Sequence, residues 1–396
     1  MLASVFSKKK HGELVKTAQG NWSFVPAPLS PELFHWSPQL VTALTAAAEA
    51  MARLQQATQE ARNPYLISGI SNVLATREAQ LSSRIEGIYS TTTQLFLYQQ
   101  EIFESDTTEG QAAALAEVAN YLSALNAGIK ELRSPRGLPL SLRLLRKLHG
   151  ILLGGKVRGS WKQPGEFRRI QNMIGGNGDE AEAIYVPPPP DKMITALDEL
   201  ERFLHAGHEQ GLHVLVRCAL AHYQFEAIHP FLDGNGRVGR LLIMLMLCAD
   251  DEAARPVIYP SAYIERNRQR YYELLLRVST HGDWEAWLLF FLSGVGQQAA
   301  EALNRFKSLE QLRLLQHERL TGERTVVQIG LGKAIDLLFE TPVVSAEHIA
   351  ARLELSTATA YRYIKILSDH GIIQLHSTSS RGRVYLAHEI IQIVDS

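Results

Sequence analysis

Apolar residues recur at helical spacing through most of the first three hundred positions. An Ala- and Leu-rich stretch from Ser37 to about Ala61 opens on Ser37-Pro38, a capping residue followed by one suited to the first helical position. Further helices are expected from Asn63-Pro64 toward Leu81, over Thr91 to Phe103, Gln111 to Arg133 and Ser141 to Leu153, with breaks at the acidic Glu104 to Gly110 and at Ser134-Pro135-Arg136-Gly137. The texture changes at Gly154 to Pro190, which is rich in Gly and Pro. Two short candidate strands there, Gln171 to Ile174 and Ala183 to Val186, flank turn residues and predict a β-hairpin flap. Helices resume at Met193 to Glu209 and at Leu212 to Ile228, the latter apolar nearly all round and therefore central to the core. Beyond an apolar run at Leu241 to Cys248, Tyr263 to Thr280 and Trp284 to Phe291 read as helices, and a polar helix from Gln297 to Glu323 reads as a connector. Near the end, Ser345 to Leu353 and Thr357 to His370 are two short helices, and Ile372 to Leu375 and Val384 to Leu386 flank a polar turn. That order is a winged helix-turn-helix.

The expected fold class is therefore mainly α: a helical core carrying a β-hairpin flap, plus a C-terminal winged helix-turn-helix domain. Its expected division is residues 1–110, an N-terminal helical region whose first 36 residues form an irregular extended arm; 111–296, the core; 297–328, the connector; and 329–396, the winged helix. With 396 residues, 46% hydrophobic and 20% charged, the chain can bury substantial cores and is neither disordered nor fibrous. Forty basic against 41 acidic residues exclude a whole-protein nucleic-acid coat or a charge-steered membrane surface. No apolar run spans a membrane, and Lys8 to Lys10 precede a polar stretch where a signal peptide would be apolar. Cys218 and Cys248, both in apolar stretches, read as buried thiols in a reducing compartment, so a cytoplasmic location is expected.

The candidate chemistry is concentrated between His229 and Arg240, which read His-Pro-Phe-Leu-Asp-Gly-Asn-Gly-Arg-Val-Gly-Arg. A Gly-rich turn feeding an apolar helix offers unpaired backbone N–H groups and a dipole to an anion, with Asn235 expected as the N-cap. Gly234, Asn235 and Gly236 would cradle phosphate oxygens, and Arg237 and Arg240, three apart, would add guanidinium forks. His229 is the side chain suited to take a proton near neutral pH, and Asp233 supplies a hard oxygen for Mg2+. The segment Gly234 to Gly239 also fits a GxGxxG dinucleotide fingerprint, but a helix precedes it and no second strand follows, so a Rossmann unit is excluded.

These twelve residues resemble the signature of the Fic family, HPFx(D/E)GNGRxxR, at every fixed position. The resemblance implies a helical core that transfers AMP from ATP, with Mg2+, to a Ser, Thr or Tyr hydroxyl of a target protein, the chain itself included. It assigns His229 as base, Asp233 to the metal, and Gly234, Asn235, Gly236, Arg237 and Arg240 to the nucleotide. Tyr271 or Tyr272 would lie on the adenine side, and the flap at 167–190 would clamp the target's backbone. Ser82-Ser83-Arg84-Ile85-Glu86-Gly87 matches the family's inhibitory pattern (S/T)xxxE(G/N), so Ser82 and Glu86 are expected to restrain the site, Glu86 through Arg240. Two alternatives stand beside this reading: a DNA-binding regulator with a nucleotide-sensing core, and removal of AMP from modified proteins. DNA would meet residues 329–396 through Arg362, Lys365, Arg381 and Arg383, although 328–396 holds six basic and seven acidic residues. Nothing in the pattern specifies an oligomeric state.

Overall fold

The computed structural model describes residue 6 and residues 11–61, 64–100, 108–206, 211–250, 259–379 and 382–396. The N-terminal region, expected to be an irregular arm, holds an antiparallel hairpin of β1 (Gly12–Lys16) and β2 (Trp22–Pro26). Gly20 at φ +83° makes the turn, and Lys16 lies 3.8 Å over the ring of its cross-strand partner Trp22. The hairpin is anchored through Phe24, whose buried side chain joins the core.

Ser37 caps α1 (Pro38–Glu60) by accepting a hydrogen bond from Leu40 N at 3.1 Å, as its position before a proline predicts. There follow α2 (Pro64–Ile85), α3 (Thr92–Gln99), α4 (Glu109–Arg133) and α5 (Leu142–Leu152). The flap region leads into α6 (Pro190–Ala206), and α7 (Val214–Ile228) and α8 (Asn235–Asp250) then form the innermost pair. Their burial on almost every side follows from their all-round apolar sequences. Helices α4 and α5 cover α8, and α6 covers α7.

After α9 (Ser261–Arg266) and α10 (Arg268–His281), the two helices expected at 284–291 and 297–323 are one, α11 (Trp284–Glu318), which lies along α1. Gly294 and Gly296 lie where the two expected helices join, and both are contact points. A Cβ on Gly294 would stand 2.5 Å from the Tyr263 ring, and one on Gly296 3.4 Å from Ala47 Cα.

The C-terminal elements are α12 (Thr325–Glu340), β3 (Val343–Val344), α13 (Ala346–Leu353), α14 (Thr357–Asp369), β4 (Gln374–Ser379), β5 (Gly382–Leu386) and α15 (His388–Asp395), with an antiparallel sheet in the order β3-β5-β4. This winged helix is docked on α2: Asn72 Nδ2 donates to Glu340 O at 3.2 Å, and Gly69 lets the backbone at Phe339 approach. Thr92 at the start of α3 donates to Asp395 of α15 at 2.7 Å. One apolar cluster consequently runs from Phe24 to Val394. Among the described residues, no helix is long and apolar enough to cross a membrane.

Candidate active site

The loop between α7 and α8 is fixed from both ends. His229 closes α7 in the left-handed region at φ +49°, an uncommon conformation for a side-chain-bearing residue, which its surroundings hold. The buried guanidinium of Arg168, in the flap, donates to His229 O at 2.9 Å and to Ile228 O at 3.4 Å, while Arg168 N donates to Pro230 O at 2.9 Å. Phe231 is fully buried and stacks on His149, with ring centroids 3.8 Å apart. Asn235 does not cap α8, as its position had suggested. Its amide folds back onto Phe231, accepting from Phe231 N and donating to Phe231 O, both at 2.8 Å. Gly234, at φ +76°, takes the capping position instead, its carbonyl accepting the first helical bond from Val238 N.

His229 Nδ1 lies 3.3 Å from Glu226 O, so the proton belongs on Nδ1 and the Nε2 lone pair is left for chemistry. Burial lowers the His229 pKa to about 4, and the nearby Arg168 charge acts in the same direction, so the ring is neutral at physiological pH. Burial likewise lowers His149 to about 4; its Nδ1 accepts from Gly165 N at 2.8 Å and its Nε2 donates to Asp233 O at 3.0 Å. Burial would raise the Asp233 pKa, but the Lys162 hydrogen bond and the Lys162 and Arg237 charges outweigh it and keep the carboxylate ionised. Glu226, on α7, is pushed up to about 8 by burial, and its Oε1 is buried without a hydrogen-bond partner.

Both arginines of the motif are buried and paired. Arg237 donates to Glu117 of α4 at 3.0 Å and reaches Asp233 at 3.5 Å. Arg240 donates through Nε to Ser82 Oγ at 2.8 Å, and through one terminal nitrogen to Ser82 O at 3.0 Å and Glu86 Oε1 at 2.8 Å. Glu86 follows α2 directly, and Ser82 sits one turn earlier on it. The Glu86 carboxylate rests against the first turn of α8: a Cβ on Gly236 would meet Glu86 Oε1 at 2.4 Å. Burial opposes its ionisation, and the Arg240 charge and hydrogen bond more than compensate.

The two tyrosines part company. Tyr271 is buried, with its hydroxyl 2.8 Å from His222 Nε2, while Tyr272 is 44% exposed. The flap is less regular than expected. Ile174 and Tyr185 form one antiparallel bridge in place of a strand ladder, because the Gly175 to Gly178 turn takes four successive positive-φ residues. It is fixed by side chains: Asn172 donates to Phe231 O at 3.0 Å and Tyr185 to Ala227 O at 2.9 Å. The N-terminal hairpin buttresses it through Phe24 N to Val186 O at 3.0 Å and Thr17 to Glu180 at 2.9 Å. Ile170 and Ile184 remain exposed on it.

Sequence reasoning missed Arg168, His149, Glu117 and Lys162. Each lies far from the motif in the chain and acts on it through space. Lys162 alone had a local signal, the Gly-rich run around it.

Family models match two consecutive stretches of this architecture. One described as Fic/DOC family covers residues 139–247, taking in Lys162, Arg168 and the whole motif, and one described as Fic/DOC family N-terminal covers 41–130, taking in Ser82, Glu86 and Glu117. The chain belongs to the Fic/DOC family. An HTH domain model matches residues 333–383, the winged helix. Curated Fic relatives include two named Protein adenylyltransferase Fic: one from Drosophila yakuba, 31% identical over 214 residues, and one from Drosophila virilis, 32% identical over 209 residues. Each match covers 49% of this chain, and the chain spans only 39% and 40% of those relatives' own lengths. The fold is also that of solved Fic structures. A Fic family protein from Desulfovibrio desulfuricans superposes with a TM-score of 0.56 at 20% identity, covering 91% of this chain and 98% of that one. Fic-1 from C. elegans gives a TM-score of 0.55 at 18% identity, covering 69% of this chain and 75% of that one.

Proposed function

We propose that this Fic protein transfers AMP from ATP to a Ser, Thr or Tyr hydroxyl of a target protein, and that Glu86 restrains it. The observation that carries this reading is the assembled loop: a neutral His229 with Nε2 unprotonated beside a helix N-terminus and two buried arginines. The target hydroxyl attacks the α-phosphorus as its proton passes to His229 Nε2. The bond from the α-phosphorus to the bridging oxygen breaks, and pyrophosphate leaves. The first N–H groups of α8, with Arg237 and Arg240, meet the charge that accumulates on the phosphates. Gly234, Asn235 and Gly236 keep the backbone close to them, and Tyr272, the exposed member of the pair, is the tyrosine available to the adenine.

An ionised Asp233 at the lip of this helix fits a Mg2+ ion. Among the described residues, no cluster of three or more His, Cys, Asp or Glu side chains could hold a metal, so phosphate oxygens and waters would supply the other positions. When bound, the ion would neutralise phosphate charge. The flap at 167–190, held to the catalytic loop by Arg168 and Asn172, would align an extended target segment by backbone pairing. Residues 1–110, 111–296, 297–328 and 329–396 are the proposed divisions, and the two buried cysteines accord with a cytoplasmic location. For the winged helix, DNA contact would come from α14, where Tyr361, Arg362 and Lys365 are exposed, and from the exposed Arg383 of β5; Arg381 lies outside the described residues.

The chemistry is tested by incubating Glu86→Gly protein and a lysate with ATP labelled at either the α- or the γ-phosphate. Label enters proteins from the α position only, and His229→Ala removes it. Transfer of the γ label, or labelling that survives His229→Ala, contradicts the proposal.

A further inference from the structure

We infer that Lys162 is a phosphate-binding residue of this site, held on Asp233 until a nucleotide and its metal arrive; the inference rests on the nucleotide reading above. Lys162 Nζ lies 3.2 Å from Asp233 Oδ2. The other oxygen, Oδ1, accepts from Gly234 N at 2.7 Å and faces Arg237 at 3.5 Å. The lysine therefore covers the carboxylate oxygen that the motif's own residues leave open.

Two features separate this contact from an ordinary surface ion pair, which would contribute little. The first is burial, since the two side chains are only 29% and 21% exposed. The second is the loop that presents the lysine. It is closed by Ser160 N to Val157 O at 3.2 Å and Lys162 N to Gly159 O at 2.8 Å. Gly159, at φ +79°, brings it so close that a Cβ there would stand 2.8 Å from Asp233 Oδ2. Next to the lysine, Gln163 takes φ +54°, a left-handed conformation that a side-chain-bearing residue adopts at a cost of about 1 kcal/mol or more. The loop is also pinned by groups that hold the motif. Glu117, the partner of Arg237, accepts from Arg158 N at 3.2 Å, and His149, which holds Asp233 O, accepts from Gly165 N at 2.8 Å.

The electrostatic consequence follows from charge alone. Three cations here are each paired with a carboxylate: Arg237 with Glu117 and Asp233, Arg240 with Glu86, and Lys162 with Asp233. A divalent ion taking an oxygen of Asp233 repels an ammonium on that same carboxylate. Lysine, a point charge on a flexible stem, can then turn to the phosphate oxygens beside it. A polyphosphate would in this way recruit Lys162 from Asp233 as it recruits Arg240 from Glu86, whereas AMP, with one phosphate and no pyrophosphate, gains little from the lysine.

The test uses the full chain, Lys162→Gln and Lys162→Arg, with folding checked by circular dichroism. Equilibrium binding of ATP and AMP is measured with Mg2+, and binding of Mn2+ without nucleotide is followed by its paramagnetic resonance. Lys162→Gln is expected to bind ATP about tenfold more weakly, the loss of one charge-assisted hydrogen bond, with AMP unchanged. Lys162→Arg should recover most of the ATP affinity, and Lys162→Gln should bind Mn2+ more tightly because no ammonium competes. Unchanged ATP affinity, an equal loss for ATP and AMP, or Mn2+ binding no tighter than wild type overturns the inference alone. A wild-type chain that binds no ATP overturns the nucleotide reading and this inference with it.

Discussion

Arg240 is a buried cation, and a buried cation must keep a partner, because a charge left unpaired away from water costs several kcal/mol. In this structure the partners are Ser82, in the last turn of α2, and Glu86, just beyond its end. Arg237 obeys the same rule through Glu117, which is itself buried. Glu117→Gln therefore weakens the fold as well as the site. A loss of about 3 kcal/mol in urea unfolding is expected, and a change under about 0.5 kcal/mol would deny that this pair matters. The histidines make the second residue-scale prediction. His229 and His149 fall to about 4 and His222 to about 3, each chiefly through burial, against an ordinary value of about 6.5. Between those limits the unfolded chain binds more protons than the native one, so their contribution to stability is complete above about pH 6.5 and is lost as the pH falls toward 4. The same shift keeps His229, the proposed base, neutral. For Glu86→Gly, kcat/KM should show no inflection near 6.5 and should fall only toward pH 4; an inflection near 6.5 would mean that His229 is not held as described.

At the scale of elements, legibility depended on whether the cause was local. Ser37 capping α1, the all-round apolar α7 and the helix-turn-helix were readable because spacing and cap residues act within a few positions. The misreadings came where a distant contact decided. The helices expected at 284–291 and 297–323 are one, with contact points at Gly294 and Gly296 where they join, and the N-terminal arm became a hairpin because the flap and core gave it something to pair with and bury against. Asn235 read as a cap and instead closes the loop onto Phe231. Gly69 makes the same point as a prediction. It lies mid-helix in α2, where a glycine normally weakens the helix and alanine would be preferred. A Cβ here would meet Phe339 O of α12 at 2.8 Å, so Gly69→Ala should lower the urea midpoint, with a cost of about 1–3 kcal/mol. A stabilised variant would show that the α2–α12 approach is not tight.

Across the whole molecule, α2 joins regions that the sequence presents as separate. Its first half carries the winged helix through Gly69 and Asn72, and its last turn, with the residue after it, brings Ser82 and Glu86 to Arg240. The large apolar cluster from Phe24 to Val394 makes that helix part of one packed body. The twelve-residue motif and the Ser82 to Gly87 segment were both readable as short patterns, but their meeting was not, because 154 positions separate Glu86 from Arg240. At that meeting one guanidinium is held by an internal carboxylate and, in the proposed function, is wanted by a phosphate. The most direct test compares initial rates of α-labelled AMP transfer by wild type and Glu86→Gly at equal concentration. A rise of at least about tenfold is expected when the carboxylate is removed, the free energy of one charge-assisted hydrogen bond; equal or lower rates would show that Glu86 does not restrain the site.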